Sequence, residues 1–404
     1  MPTLFLIVFI DLVGFGLVIP LLPFYAVRFS ASPQAVTALV AVYSLMQFLT
    51  APLWGRLSDQ VGRRPVLLLS LTASALAYLW LGRATALWML FGARGFAGAC
   101  AGNIATAQAY IADVTKPEER ARGMGLIGAA FGLGFMIGPA IGGLLAGNDP
   151  LTADLETPAW VAAGLSFLAL LGVALLLKES LPAERRGAAP MRGRFDAAWE
   201  VLQRPVLSRL ILIFFLAILA VAGMQSVFAI WAMPQLGWGP GPVGYVFAFV
   251  GLISAVLQGG LIGRLAKRFG EERLLSCGLT LIAAGLLSLP FARDVQILAP
   301  VLTGLALGMG LMQPSLNSLI SRQAGGDEQG EVMGVSQSAA SLSRVLGPFA
   351  AGFCFAAFGR NSPYLAGAVL TGIALLLALK LSRGIGRMQS AQAEPLGREG
   401  GPVR

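Results

Sequence analysis

The sequence predicts an all-α integral membrane protein of twelve transmembrane helices, and three observations predict it. Only 12% of its 404 residues are charged while 56% are hydrophobic. A soluble chain carries about twice that charged fraction, so too little polar surface remains to cover a water-soluble particle. The apolar residues come in continuous blocks of about 20, the length that crosses a hydrocarbon core about 30 Å thick. Basic residues gather at alternate block ends. A β-barrel would show alternating segments of about 10 residues, which these blocks are not.

Charged clusters and turn residues cut the chain into predicted helices at 4–27, 36–54, 65–82, 86–112, 122–147, 158–177, 206–232, 241–263, 273–291, 295–320, 331–357 and 361–380. The first block starts almost at Met1 without a basic leader region, so it reads as a retained helix and not as a signal peptide. Gly and Pro occur inside many blocks, as membrane helices tolerate. If Met1 faces the cytoplasm, the loops after the even-numbered helices and the C-terminus carry 23 of the 29 basic residues. The opposite side carries four, Arg28, Arg83, Arg293 and Arg360. This positive-inside bias places both termini in the cytoplasm. It also accounts for the net charge of +9, so nucleic acid is not an expected partner.

The longest loop, 178–205, is polar and basic and splits the helices six and six. Residues 1–177 form the first bundle, 206–382 the second, and 383–404 read as a disordered cytoplasmic tail. The halves repeat. Gly55 to Gly62 matches Gly263 to Gly270 at an offset of 208 residues. Glu118-Glu119 with Met124-Gly125 matches Asp327-Glu328 with Met333-Gly334 at 209, and Gly138-Pro139 matches Gly347-Pro348 at 209. Two six-helix pseudo-repeats in parallel orientation imply a substrate cavity at the midplane between them.

Chemistry is sparse and therefore informative. Among the twenty acids, only Asp11 lies well inside a predicted helix. An intramembrane carboxylate reads as functional by default. If it passes between dry and cationic surroundings, it can take up and release a proton. Arg94, inside the fourth helix, stays charged and needs water or an acceptor; it is the candidate partner that tunes Asp11. Arg344 occupies the eleventh helix in the same unusual way, suited to a gate or a substrate contact. The loop from Gly55 to Pro65 sets Gly55, Asp59, Gly62, Arg63 and Arg64 between two helices. The glycines permit tight turns. Asp59 could cap the third helix or face the N-terminal dipole of a neighbouring helix, and the arginines could pair with acids of the 113–122 loop to latch one membrane face. In the fifth helix, Gly134, Gly138, Gly142 and Gly143 allow close packing around a kink at Pro139. Gln47, Asn103, Gln108, Gln225, Gln313 and Asn317 are candidate cavity residues, whereas Phe228 and Trp231 face core or lipid. The chain has no His, and its three cysteines all lie in apolar blocks. No metal-ligand set and no nucleophile paired with a base appears, so an enzyme is not expected.

These motifs together resemble the major facilitator superfamily, and within it the twelve-helix drug:proton antiporters. The loop around Asp59 is similar to that superfamily's motif A, Arg94 with Gly98 to motif B, and Gly134 to Gly143 to motif C, the antiporter motif. The Asp11 segment resembles the antiporters' first-helix motif. The nearest pattern is that of tetracycline efflux pumps, over nearly the whole chain. The resemblance implies the major facilitator fold and proton-coupled export of drug-like or tetracycline-like molecules from a bacterial inner membrane by a monomer. The partners it implies are a small-molecule substrate, protons and the lipid bilayer. It implies no resident cofactor, the proton gradient supplying the energy, although a substrate–metal chelate is compatible with it. A symporter or uniporter of a small metabolite would share the fold. Tetracycline pumps carry further acids; here the third-helix position is Ala77, and no helix of the second half holds an interior acid.

Overall fold

The computed structural model describes residues 2–115, 117–150, 152–182, 186, 194–324 and 328–392. In thirteen of the fourteen labelled helices it follows the apolar blocks. They are α1 (Pro2–Arg28), α2 (Pro33–Val61), α3 (Arg63–Gly82), α4 (Leu87–Ala99), α5 (Asn103–Val114), α6 (Pro117–Ala146) and α7 (Glu156–Leu176). After the connector helix α8 (Arg194–Gln203) come α9 (Pro205–Leu236), α10 (Pro240–Phe269), α11 (Glu271–Phe291), α12 (Val295–Gln323), α13 (Gln329–Phe358) and α14 (Ser362–Gln392). Among the described residues, eleven helices are long and apolar enough to cross a membrane, and there is no strand.

The predicted span missing from these eleven is the fourth, 86–112, which is broken into two shorter helices, α4 and α5, at Cys100–Gly102. The break has a packing cause. A side chain on Gly98 would collide with the Tyr43 backbone, and one on Gly102 would meet the Trp54 ring at 2.9 Å. The small residues thus let α2 press into this segment. The Trp54 indole then donates to the Ala99 carbonyl at 2.6 Å, satisfying an acceptor that the interrupted helix leaves free. Predicted ends elsewhere fall within a few residues of those observed, except where helices run on past the bilayer. The last helix continues to Gln392, ten residues into the segment read as a tail; residues 393–404 lie outside the described residues. So do most of the linker between 183 and 193, Asp327, and the side chains of Glu118, Glu119 and Met124.

The two halves show the same construction. Gly62 and Gly270 both turn the chain between helices at positive φ, +108° and +80°, where glycine costs least. Pro139 and Pro348 both lie inside long helices. A side chain on Gly138 would overlap α1, and one on Gly347 would overlap α9 at Leu219 and Gly223. The α6–α1 and α13–α9 pairs are therefore equivalent, as the repeat predicts.

Among the described glycine contacts, the halves meet toward the end away from the basic loops. Gly143 lies against the carbonyl oxygens of Pro240 and Gly241, and Gly251 against Met136, so α6 and α10 are in close contact. Gly352 of α13 abuts Thr37 of α2. Toward the basic end these pairs separate. Gly125 and Gly128 on α6, Gly259, Gly260 and Gly263 on α10, Gly334 on α13 and Gly55 on α2 have no neighbour that a Cβ would meet within 4 Å. The parting coincides with a π-helical turn in α10 at Leu257–Leu261, a distortion often found at functional sites. The space between the halves thus opens toward the basic loops.

Candidate functional site

Asp11 sits on α1, buried with 7% of its surface exposed. Two helices supply its partners. The Asn103 amide, at the start of α5, donates to Oδ2, and the Ser166 hydroxyl of α7 donates to Oδ1 at 3.4 Å. Asn103, read from sequence as a cavity residue, is thus a partner of the buried acid. The break between α4 and α5 puts it there, because it begins the new helix at that depth. Neither partner is itself an acid or a base, so Asp11 is the one titratable member of this set.

Arg94 is more deeply buried, with 3% exposed. Its guanidinium lies 4.5 Å from the Tyr43 ring centroid and 5.6 Å from that of Phe15, within cation–π range. Its Nε and Nη1 have no hydrogen-bond partner, and no ion pair joins it to Asp11 among the described residues. The four-residue spacing to Gly98 explains its position. Gly98 lies against the Tyr43 backbone, so one turn earlier the Arg94 side chain reaches the Tyr43 ring.

The glycine stretch of α6 has two faces. Gly134, Gly138 and Gly142 rest on α1 at Leu12, at Val13 and Gly16, and at Leu17, the turns that flank Asp11. Gly143 rests on α10 in the other half. One helix, with Pro139 inside it, therefore packs both on α1 beside the buried carboxylate and on α10 of the other half.

The loop motif forms a network within the first half. Arg63 pairs with Asp59 at 2.6 Å and with Asp113 at 3.0 Å, and donates to Ser58 at 2.5 Å. The expected pairing of an arginine with an acid of the 113–122 loop is thus made by Arg63 and Asp113. Arg64 instead donates to the Ala174 carbonyl at 2.6 Å. Asp59 is not the cap of α3. That place is taken by Glu179, after α7, which accepts from the backbone N–H of Arg63 at 2.8 Å and of Arg64 at 3.1 Å. It also accepts from Ser180 and Leu181, both at 3.0 Å. Gly62 suits this turn because its φ of +108° strains any other residue, and it lies against the Glu179 carboxylate. Among the described residues, the hydrogen bonds and ion pairs of this network stay within the first half.

Burial opposes ionisation of Glu179, but the four N–H donors outweigh it and hold the carboxyl below its ordinary value of about 4.5. A depressed acid stabilises the fold above its unfolded pKa and loses that contribution as pH falls through the folded one. The purified protein should therefore melt at lower temperature as pH drops below about 4.5, with Glu179→Gln flattening that part of the profile. Thermal melts of both proteins from pH 3 to 7, as a rough range, check this; parallel curves would remove Glu179 from the account.

Gln108, Gln225 and Gln313 are exposed, and Gln47 and Asn317 are half-buried. The Asn317 Oδ1 is buried without a partner. Gln225 borders a small apolar hollow in the second half with Met224, Phe228 and Phe247. Phe228 and Trp231 belong to the core. Arg344 is exposed and donates to Ser341 at 3.1 Å.

Comparison with known proteins follows the same outline. A family model described as Major Facilitator Superfamily matches residues 4–348 and 258–398. The tetracycline resistance protein of class C from Escherichia coli is 35% identical, over 93% of this chain and 94% of that protein. The class D protein from Salmonella ordonez is 33% identical, over 93% and 95%. Among solved structures, the human organic anion transporter MFSD10 (TETRAN) is 25% identical, with a TM-score of 0.71 over 93% of this chain and 98% of that one. An inward-facing bacterial homolog of the human lysosomal transporter Spinster shares the fold, with a TM-score of 0.75 at 17% identity, over 94% and 96%.

Proposed function

The chain belongs to the Major Facilitator Superfamily, and we propose that it is a proton-coupled exporter of drug-like small molecules that works by alternating access. It is a transporter and not an enzyme. The observation that carries the antiport reading is the buried Asp11, held by two neutral donors, one from α5 and one from α7. In this reading Asp11 exchanges its proton with the basic side, toward which the space between the halves opens. That side is the cytoplasm in this reading, with both termini there and the protein in the inner membrane. Drug enters the open cavity when Asp11 has lost its proton. Arg94 is a buried cation with unused donors, and a charge so placed requires an acceptor. As the halves rock, an ionised Asp11 or a polar group of the drug can meet that demand. Protonation from the far side then releases the drug, and the protonated carrier returns.

The glycine face of α6 couples these events, since it touches α1 beside Asp11 and α10 across the interface. Tetracycline-like compounds are the first candidates, because proteins named for tetracycline resistance match nearly end to end. A drug-susceptibility panel in an efflux-deficient bacterium tests the reading. Expression should raise resistance to one or more drugs, and a proton uncoupler should restore accumulation of them. Resistance that survives the uncoupler, or substrate uptake down the proton gradient, would overturn export by antiport.

A further inference from the structure

The end of the first half farthest from the basic loops carries a groove that the transport cycle does not use. It holds about 340 Å³ and is lined by Leu79, Trp80, Arg83, Met89 and Trp160, from α3, α4 and α7. Its construction is specific. Gly82 lets α7 approach, with Trp160 and Ala159 at 3.3–3.4 Å from where a Cβ would be. Gly92 makes room for the Trp80 ring, which a side chain there would strike at 2.7 Å. Trp88, two-thirds exposed, begins the neighbouring helix α4. Three of the seven tryptophans therefore gather at one corner, at the depth where indoles favour the bilayer interface.

Arg83 gives the groove its chemistry. It follows directly on the membrane span Arg63–Gly82, so it lies at headgroup level. Its side chain is exposed and lies 5.3 Å over the Trp160 ring. Among the described residues it makes no ion pair and no side-chain hydrogen bond. A guanidinium has five N–H donors arranged to hold a phosphate. The groove below it offers leucine, methionine and indole surface, which suits an acyl chain.

We propose that this groove is a binding site for one phospholipid of the leaflet opposite the basic loops, with its phosphate on Arg83 and an acyl chain along Leu79, Trp80 and Met89. The Arg83–Trp160 stack holds the guanidinium outward to meet the phosphate. The position bridges α3 and α7, so the lipid would brace the outer surface of the first half.

Native mass spectrometry of the purified protein titrated with dioleoyl phosphatidylglycerol tests the site. The first lipid bound should be about fivefold weaker in Arg83→Gln, the effect of one arginine on a lipid headgroup. Trp160→Leu should weaken it as well, which keeps the test open if either variant folds poorly. Arg360→Gln, a basic change elsewhere on the same side, should leave it unaltered. Dioleoylglycerol, which lacks the phosphate, should not distinguish wild type from Arg83→Gln, and glycerol phosphate should not displace the lipid. Equal affinity in wild type and both groove variants would overturn the proposal. So would equal weakening by Arg360→Gln, or displacement by glycerol phosphate, which would mark a simple anion site.

Discussion

Asp11→Asn is expected to abolish proton-driven drug transport while leaving the protein folded and inserted. In everted membrane vesicles, the variant should reach wild-type abundance yet accumulate drug only as vesicles without the protein do. The geometry supports the separation of the two effects. Asparagine has the shape of aspartate, and its carbonyl can accept from Asn103 in place of Oδ2. Its amide then faces Ser166, whose hydroxyl can turn to accept. The packing of Leu12, Val13 and Gly16 on α6 is untouched. What is lost is the titrating proton; the chain has no His, and the second-half helices carry acids only in their first turns, at Glu271, Glu272 and Glu331, so nothing in the helix interiors replaces it. Ordinary gradient-driven accumulation by the variant would show that coupling lies elsewhere.

Gly138→Ala should have the second large effect, through packing and not through charge. A Cβ there would stand 2.7 Å from the Val13 carbonyl oxygen and 2.8 Å from Gly16 Cα. Those are backbone atoms, so no side chain can turn aside, and α1 and α6 must separate. Overpacking of this kind costs about 1–3 kcal/mol. The displaced helix is also the one that carries Gly143 against α10, so the contact between halves shifts with it. The variant should melt at lower temperature and let protons leak through reconstituted vesicles without drug. Gly164→Ala is the control, because a Cβ there meets nothing within 4 Å. If the two variants behave alike, close packing at Gly138 has no role in the cycle.

Much of this was legible in the sequence because membrane helices obey a coarse rule. Uninterrupted apolar blocks gave the spans, and the offset between Gly55 and Gly263 gave the repeat that the turns at Gly62 and Gly270 share. Asp11 stood out because a carboxylate is rare inside such a block. Asn103 reads from sequence as a cavity residue and Ser166 does not stand out, and neither does their pairing with Asp11, for a physical reason. Asn103 and Ser166 are common small polar residues, and only the meeting of α1, α5 and α7 makes them donors to one acid. The split of the fourth span was hidden as well. Residues 98–102 read as helix by hydropathy, and the break comes from the pressure of Trp54 and Tyr43 on glycines. Glu179 lies 116 positions from the Arg63 it caps, so local capping rules pointed to Asp59 instead. A glycine at positive φ just before a helix is the signal that a distant acid could fill the cap.

The central claim is that drug and proton exchange at a cycle whose proton carrier is Asp11. Proton release on drug binding tests it most directly, measured with a pH indicator on purified protein in weakly buffered detergent, at a series of pH values that spans the titration of Asp11. Wild type should release protons as drug is added, and Asp11→Asn should bind the drug and release none. Binding without release in wild type, or undiminished release from Asp11→Asn, would contradict the account.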